Sequence, residues 1–152
     1  MATTTSRDRR GGAPELVTRS PGETEEAGAR LGSQLGPGDL LLLVGELGAG
    51  KTTFVRGLAR GMAVRGDVAS PTFQLVRTYP GPVPLAHADL YRLTSATELD
   101  DLGIEELLDA GAVVVEWGER LRWPGAARLV IERAGGRRRR LRLEEAPAAW
   151  SL

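Results

Sequence analysis

The segment Gly45 to Thr52 constrains the fold of this chain more than any other part of its sequence. It reads GELGAGKT and satisfies the pattern G-x-x-x-x-G-K-[ST] at every fixed position. A continuous apolar run of strand length, Leu40 to Val44, precedes it, and a helix is predicted to begin at Lys51 and to extend to about Met62. Strand, glycine loop and helix in this order are typical of a phosphate-binding loop.

The residue types in this loop suit a nucleotide triphosphate and its metal ion. Glycines let consecutive backbone N–H groups converge on phosphate oxygens, because a Cβ atom would block the approach and hinder positive φ angles. Lys51, the only lysine among twenty basic residues, is expected to reach the β- and γ-phosphates, and the Thr52 hydroxyl to ligate Mg²⁺. The predicted nucleotide-binding residues of the loop are Gly45, Glu46, Leu47, Gly48, Ala49, Gly50, Lys51, Thr52 and Thr53.

The nucleotide is predicted to be ATP. The sequence contains no asparagine, and its one lysine already belongs to the loop. The asparagine-lysine-x-aspartate element that reads guanine in most GTPases is therefore absent, which favours adenine.

A bound triphosphate also needs an acidic residue at the end of a neighbouring strand to serve the metal. Glu116 follows the apolar run Ala112 to Val115, and Asp89 ends a weaker strand candidate that begins at Leu85. Strand-end carboxylates in a parallel sheet point towards the edge that carries the glycine loop. Two structural alternatives stay open: Asp89 could cap a following turn, and Glu116 could pair with Arg120.

The pattern along the chain predicts one α/β domain of the P-loop NTPase-like type, with a mainly parallel sheet, flanking helices and a C-terminal antiparallel hairpin. Residues 1–14 are predicted to be a disordered leader, 15–145 the domain and 146–152 a tail. Besides the segments around the glycine loop, the predicted elements are a helix from Pro21 towards Leu35, a strand within Thr72 to Tyr79, a strand from Leu85 to Asp89, a helical segment from Thr94 to Leu108 with a break near Gly103, a strand from Ala112 to Glu116, and the two hairpin strands Arg128 to Arg133 and Arg138 to Leu143.

Composition excludes several classes of chemistry. The chain has no cysteine, so disulfides, cysteine zinc sites and thiol nucleophiles are impossible. The N-terminus has no apolar signal region, and no run of about 18 uncharged apolar residues occurs, so a cytoplasmic protein without membrane attachment is expected. Twenty acidic residues balance twenty basic ones, so the net charge gives no reason to expect general attraction to nucleic acid.

Several blocks of the sequence together resemble the TsaE family, the bacterial ATPases of tRNA threonylcarbamoyladenosine synthesis. They lie between Ser20 and Trp117, in family order, and comprise Thr24, Gly45 to Phe54 with Arg56 and Gly57, Ser70 to Phe73, His87 to Leu93, and Glu116 with Trp117. The resemblance implies a Mg²⁺-dependent ATP hydrolase that acts with TsaB and TsaD. Together these proteins would form threonylcarbamoyladenosine at position 37 of tRNAs reading ANN codons, with tRNA contacted indirectly through the complex.

The resemblance also implies roles for individual residues. Thr24 would lie near the nucleotide, Ser70 to Phe73 would form a switch-like segment, and Asp89 and Glu116 would serve Mg²⁺ and water activation. The predicted catalytic residues are thus Lys51, Asp89 and Glu116, and the predicted metal ligands are Thr52 and Glu116. Which of the two carboxylates touches the metal directly stays open.

Two positions depart from the usual family pattern. Glu46 stands where many relatives carry aspartate, and Gly118 stands where many carry proline. The first difference leaves the geometry beside the first loop glycine open.

Other chemically distinctive residues have two interpretations each. His87 is the only histidine, and a lone histidine is more often structural than functional. Tyr91 and Trp117 could form a partner surface or simply pack. Arg92 could stabilise charge in phosphoryl transfer or form a surface ion pair. The arginines of Arg137 to Arg142 suit a solvated edge strand, or else a contact with tRNA or an acidic partner.

A small-molecule or nucleoside kinase is the main alternative function, because phosphate loops serve both hydrolysis and transfer. No arginine-rich lid insertion lies between Thr53 and Glu116, which favours the ATPase. A nucleotide-sensing module with negligible turnover is a third class.

Overall fold

The computed structural model describes residues 5–6, 13–46, 48–69 and 75–152. Its described strands form one sheet in the order β1-β2-β8-β7-β3-β6-β5-β4. The strands are β1 (Thr5–Ser6), β2 (Glu15–Thr18), β3 (Leu40–Val44), β4 (Val76–Tyr79), β5 (Leu85–Asp89), β6 (Ala112–Glu116), β7 (Ala127–Arg133) and β8 (Arg139–Glu144). Within the described ranges the helices are α1 (Pro21–Gly32), α2 (Lys51–Gly61), α3 (Ala96–Asp101) and α4 (Ile104–Ala110), and a 3-10 turn spans Gly118–Arg120.

The sheet has a parallel centre and antiparallel margins. Strands β7, β3, β6 and β5 run parallel to one another. The strand β4 pairs antiparallel with β5 at one margin, while β8, β2 and β1 add antiparallel strands at the other. The predicted α/β domain with flanking helices and a C-terminal antiparallel hairpin is confirmed. The sheet, expected to be mainly parallel, is mixed, with three parallel and four antiparallel pairings among the described strands.

The strand β3 lies at the middle of this sheet and is covered on both faces. Leu41 and Leu43 belong to the apolar cluster beneath α1 and α2, whereas Leu40 and Leu42 belong to the cluster on the opposite face, which includes Ile104 of α4. A strand that is buried on both faces has no need of polar alternation. The uninterrupted leucine run is therefore explained by its central position.

Helices α1 and α2 approach each other at the level of the backbone. A Cβ atom added to Gly28 would overlap the carbonyl oxygen of Phe54, and one added to Gly57 would overlap that of Glu25. Ser20 caps α1 by accepting a hydrogen bond from the Glu23 N–H at 3.1 Å, and Pro21 occupies the first helical position. The sequence signal for the start of α1 is thus confirmed.

Several predicted element boundaries differ from the structure, and the two largest differences are in the first helix and in the strand predicted within Thr72 to Tyr79. The first helix ends at Gly32 instead of continuing to Leu35, because its last turn tightens: Gln34 N–H donates to Leu31 at 2.9 Å and Leu35 N–H to Gly32 at 3.1 Å. The strand predicted within Thr72 to Tyr79 is observed from Val76, and residues 72–74 lie outside the described part of the chain.

The helical break predicted near Gly103 is confirmed. Gly103 adopts a φ of 66° between α3 and α4.

The two ends of the chain differ in how much of them can be described. The predicted leader, residues 1–14, is described only at 5–6 and 13–14, and its disorder stays a prediction. Residues 146–152 are predicted from the sequence to be a tail outside the domain. Two of them, Trp150 and Leu152, are buried in the cluster beneath α1 and α2. The side chain of Gln34 also hydrogen-bonds the backbone of Ser151.

Among the described helices, none is long and apolar enough to cross a membrane.

Candidate functional site

The predicted site residues meet at the carboxyl ends of three parallel strands. Glu116, the last residue of β6, is in register with Leu43 of β3 on one side and with Asp89 of β5 on the other. The glycine loop leaves β3 one residue beyond Val44. The parallel pairing therefore brings the loop and both predicted carboxylates to one edge of the sheet.

The glycines of the loop serve two different purposes. Gly48 and Gly50 have φ angles of 78° and 102°, where a side chain would be strained. Gly45 has no positive φ, but a Cβ atom there would lie 2.6 Å from the carbonyl oxygen of Ile131 in β7. The first glycine is thus required by close packing against a strand that lies far away in the sequence. Leu47 lies outside the described residues.

Among the described helices, α2 differs from the others in that its N-terminus has neither a side-chain cap nor an acidic residue in the first turn. Ser20 and Ser95 cap α1 and α3 through their side chains, and α4 has glutamates in its first turn. The cap of α2 is Gly50, with no side-chain hydrogen bond and no acidic residue in the first turn. Its N–H groups and partial positive charge are suited to an anion.

Lys51 is held between the loop and the end of β6. Its ammonium donates a hydrogen bond of 2.7 Å to the carbonyl oxygen of Gly45 and lies 3.6 Å from the centroid of the Trp117 ring. The residue is 5% exposed. Burial lowers the pKa of Lys51 below its ordinary value, while the negative charges of three carboxylates act in the opposite direction. These carboxylates belong to Glu116, Glu119 and Asp89.

The carboxylate of Glu116 links the loop helix to the interior of the sheet. Its Oε1 accepts a hydrogen bond of 3.4 Å from the Thr52 hydroxyl, and its Oε2 lies 2.5 Å from Nε2 of the fully buried His87. The described residues contain no group of three or more histidine, cysteine or acidic side chains that could hold a metal ion. A hydroxyl and one carboxylate nevertheless fit Mg²⁺, because this ion usually takes most of its remaining ligands from water and phosphate.

Asp89 and Arg120 both organise the turn that follows β5. Asp89 Oδ1 accepts a hydrogen bond of 2.9 Å from the Tyr91 N–H, so the turn-capping contact allowed by the sequence is present. Arg120 donates to the carbonyl oxygens of Leu90 and Tyr91 at 3.3 and 3.0 Å. Its guanidinium is thus directed at backbone groups, and Glu116 has Thr52 and His87 as partners instead.

Thr24, which the family resemblance predicts to lie near the nucleotide, lies beside the loop. Its hydroxyl shares a buried hydrogen bond of 2.7 Å with Thr18 of β2. A cavity of about 150 Å³ opens between α1, the loop and the β7–β8 hairpin. The residues lining it are Pro21, Thr24, Gly48, Gly50, Thr53, Arg137 and Arg139.

The contribution of Arg139 was missed by sequence reasoning. Its Nε donates a hydrogen bond of 3.0 Å to the carbonyl oxygen of Ala49, and Nη1 donates to the carbonyl oxygens of Gly136 and Arg138 at 2.9 and 2.8 Å. One side chain thus ties the hairpin to the glycine loop. The only available signal was the arginine run itself, which does not indicate which member reaches the loop.

The interpretation of the arginine run as a solvated edge strand is wrong. The strand β8 pairs with β7 on one side and with β2 on the other. Leu141 and Leu143 belong to the buried cluster, whereas Arg140 and Arg142, which alternate with them along the strand, form ion pairs with glutamates of the same sheet. Arg140 pairs with Glu15 at 3.0 Å, and Arg142 pairs with Glu144 at 2.8 Å.

The aromatic residues near the site pack against each other. The ring centroids of Tyr91 and Trp117 are 5.1 Å apart, Tyr91 is 48% exposed, and Trp117 covers the Lys51 ammonium. Arg92 is exposed. Gly118 follows Trp117, and a Cβ atom there would lie 2.6 Å from Cβ of Leu42, so this glycine lets the 3-10 turn lie directly on β3.

Glu46 can be placed in the structure, whereas the segment Ser70 to Phe73 cannot be described. Glu46 is exposed, and its carbonyl oxygen accepts a hydrogen bond of 3.0 Å from the Ala49 N–H inside the loop. Ser70 to Phe73, the expected switch-like segment, lies outside the described residues.

The fold and the loop geometry together define an α/β protein of the P-loop NTPase-like class. The sequence model of one family, described as "Threonylcarbamoyl adenosine biosynthesis protein TsaE", matches residues 18–141. The chain belongs to the TsaE family, whose proteins take part in the biosynthesis of tRNA threonylcarbamoyladenosine.

Individual relatives agree with this membership. A tRNA threonylcarbamoyladenosine biosynthesis protein TsaE from Streptomyces coelicolor is 52% identical over 99 residues, which are 62% of this chain and 66% of that protein. The protein of the same name from Treponema pallidum is 42% identical over 106 residues, or 69% of this chain and 78% of the relative. The matched part of the chain thus spans just under two thirds of the Streptomyces relative.

A solved structure supports the fold. The crystal structure of Bacillus subtilis YdiB superposes with a TM-score of 0.71 at 30% identity, covering 94% of this chain and 86% of that one.

The pKa of Lys51 can be measured directly because the chain has only one lysine side chain. We expect its side-chain carbon signals in a ¹³C NMR titration to show a midpoint below 10.5, because burial disfavours the ammonium. Added ADP with Mg²⁺ should raise the midpoint, since phosphate charge favours the ammonium. A midpoint at or above 10.5 in the ligand-free protein would contradict this description of the site.

The hydrogen bond from Arg139 to the carbonyl oxygen of Ala49 predicts that substitution of Arg139 loosens the glycine loop locally. Arg139→Ala should lower the free energy of unfolding by about 1–2 kcal/mol through the loss of its hydrogen bonds to backbone carbonyls. It should also speed hydrogen exchange at the Ala49 amide. The matched control is Arg140→Ala, which removes an exposed ion pair on the same strand and should cost less than about 1 kcal/mol. Equal rates of hydrogen exchange at the Ala49 amide in both variants would argue against the hydrogen bond between Arg139 and the loop.

Proposed function

We propose that this chain is a Mg²⁺-dependent ATPase that acts with TsaB and TsaD in forming threonylcarbamoyladenosine at position 37 of tRNAs reading ANN codons. The observation that carries the proposal is the meeting of Lys51, Thr52 and Glu116 at the N-terminus of the uncapped helix α2. Membership of the TsaE family supplies the biosynthetic context. The activity of the whole protein and its partners are inferred from that membership.

Phosphate binding is assigned to the loop backbone and Lys51. The positive φ angles at Gly48 and Gly50 shape the loop so that its N–H groups can converge on oxygen atoms. Lys51 adds a compact positive charge, and burial reduces the competition from water for its hydrogen bonds. These groups hold phosphates in place and stabilise the negative charge that redistributes during phosphoryl transfer.

Metal binding is assigned to Thr52 and Glu116, and orientation of the attacking water to Asp89. The hydrogen bond between Thr52 and Glu116 places a hydroxyl and a carboxylate oxygen together beside the start of α2. When bound, Mg²⁺ would supply neutralisation of the β- and γ-phosphate charge. Asp89 is in register with Glu116 on the neighbouring strand, so its carboxylate lies at the same sheet edge. Its second task, capping the turn at Tyr91, fixes it in that place.

Replacing Lys51 tests the nucleotide assignment. Lys51→Ala should weaken ATP binding by about thirtyfold or more, because a desolvated charge-assisted contact contributes about 2 kcal/mol or more. Phosphate release should fall to background. Titration calorimetry and a phosphate-release assay measure the two quantities. Arg60→Ala, which removes an exposed positive charge at the other end of α2, should leave both unchanged.

The same assays separate the proposed ATPase from its competitors. ATP hydrolysis retained by Lys51→Ala would refute the assignment. A phosphorylated small molecule formed in place of free phosphate would identify a kinase, and tight ATP binding without turnover would identify a sensing module.

The partner assignment has its own test. We expect the chain to co-purify with TsaB and TsaD from the same organism, and the yield of complex to depend on added ATP. Lys51→Ala should weaken this nucleotide dependence, while Arg60→Ala should preserve it. Failure of the three wild-type proteins to associate with or without ATP would remove the partners from the proposal.

A further inference from the structure

His87 is a buried polar residue whose function is not explained by the proposed phosphate chemistry. It is 0% exposed in the middle of β5 and is in register with Val114 of β6. Because side chains alternate along a strand, His87 faces the same side of the sheet as Leu85 and as Glu116, two residues beyond Val114. That side is the one covered by α1 and α2.

His87 contacts the carboxylate of Glu116, and only one of the two carboxylate oxygens takes part in this contact. Glu116 is 3% exposed, and its two oxygens have different partners: Oε2 meets His87 Nε2 at 2.5 Å, while Oε1 meets the Thr52 hydroxyl at 3.4 Å. The other ring nitrogen of His87, Nδ1, is buried and has no hydrogen-bond partner among the described residues.

This asymmetry indicates where the imidazole proton lies. An N–H group at Nε2 donates a hydrogen bond to the Glu116 carboxylate, and an Nδ1 without hydrogen then needs no acceptor. A proton on Nδ1 would be a buried donor without an acceptor, which is the more costly arrangement. The hydrogen bonds therefore assign His87 as the donor and Glu116 as the acceptor.

We propose that His87 is a positioning residue that fixes the orientation of the Glu116 carboxylate, so that Oε1 is presented to Thr52 and to Mg²⁺. The inference rests on the metal site of the proposed function. A carboxylate that is held at one oxygen cannot rotate away from the metal position. His87 thus governs how well Mg²⁺ supports nucleotide binding, while the loop and Lys51 govern binding of the nucleotide itself.

Variants at position 87 separate the effect of losing the hydrogen-bond donor from the effect of changing the size of the side chain. His87→Phe keeps a ring of similar size and removes the donor. His87→Gln carries an amide nitrogen at nearly the distance of Nε2, whereas the shorter His87→Asn does not reach Glu116. Val115→Ala is the matched control for a loosened β6, because Val115 is buried in the cluster on the opposite face of the sheet.

Titration calorimetry of ADP over a range of Mg²⁺ concentrations, and in EDTA, tests the proposal without relying on turnover. The Mg²⁺ concentration that gives half of the metal-dependent gain in ADP affinity should rise about tenfold in His87→Phe and His87→Asn. It should return close to the wild-type value in His87→Gln. Affinity in EDTA should be the same in all variants, and Val115→Ala should lower thermal stability without changing the metal dependence.

The outcomes distinguish this inference from the proposed function. A wild-type protein that binds no ADP with Mg²⁺ would overturn the proposed function. If the wild-type protein binds ADP with Mg²⁺, and if His87→Phe folds and shows the same metal dependence as the wild type, the role of His87 is overturned and the proposed function stands. Should His87→Phe fail to fold, the comparison of His87→Asn with His87→Gln decides in the same way, and equal metal dependence in those two variants would overturn the positioning role.

Discussion

The parallel pairing of β3, β6 and β5 is the constraint on which the site depends. It aligns the ends of three strands that are separated in the sequence and so places Glu116 between the glycine loop and Asp89. A shift of one residue in either pairing would turn the Glu116 side chain to the opposite face of the sheet, away from Thr52. Because leucines and valines fill both faces of the sheet, the apolar runs on β3 and β6 do not by themselves oppose such a shift, whereas the shift would break the buried contact between Glu116 and His87.

The sequence predicts the structure correctly where the relevant residues are neighbours in the chain or where their positions follow from the order of the strands. The glycine loop, its strand and its helix are neighbours in the chain, and their pattern requires no knowledge of distant contacts. The convergence of Asp89 and Glu116 followed from the general rule that parallel strands end at the same edge. The fold class followed from the same reasoning, since apolar runs flanked by helices favour a parallel sheet.

The remaining features depend on pairings that a single sequence does not reveal. The stacking of Trp117 on Lys51 needs a left-handed residue directly after β6, with a φ of 57° in a non-glycine residue. The contact between His87 and Glu116 joins side chains 29 positions apart. The strand β8 was misjudged because β2 is only four residues long, too short for its pattern to predict pairing with the hairpin. Within that run, Arg140 pairs with Glu15 of β2, and Arg142 pairs with Glu132 of β7 and with Glu144 of its own strand.

The glycine contact between α1 and α2 has a mechanical consequence. Where two helices touch through their backbones, no layer of adaptable side chains lies between them, and small displacements of one helix cannot be absorbed by changes of rotamer. The helix α2 begins with Lys51, and α1 contributes Thr24, whose hydroxyl is bonded to Thr18 in β2. The close contact of the two helices therefore connects the first turn of α2 to the antiparallel margin of the sheet through α1 and the Thr24–Thr18 hydrogen bond.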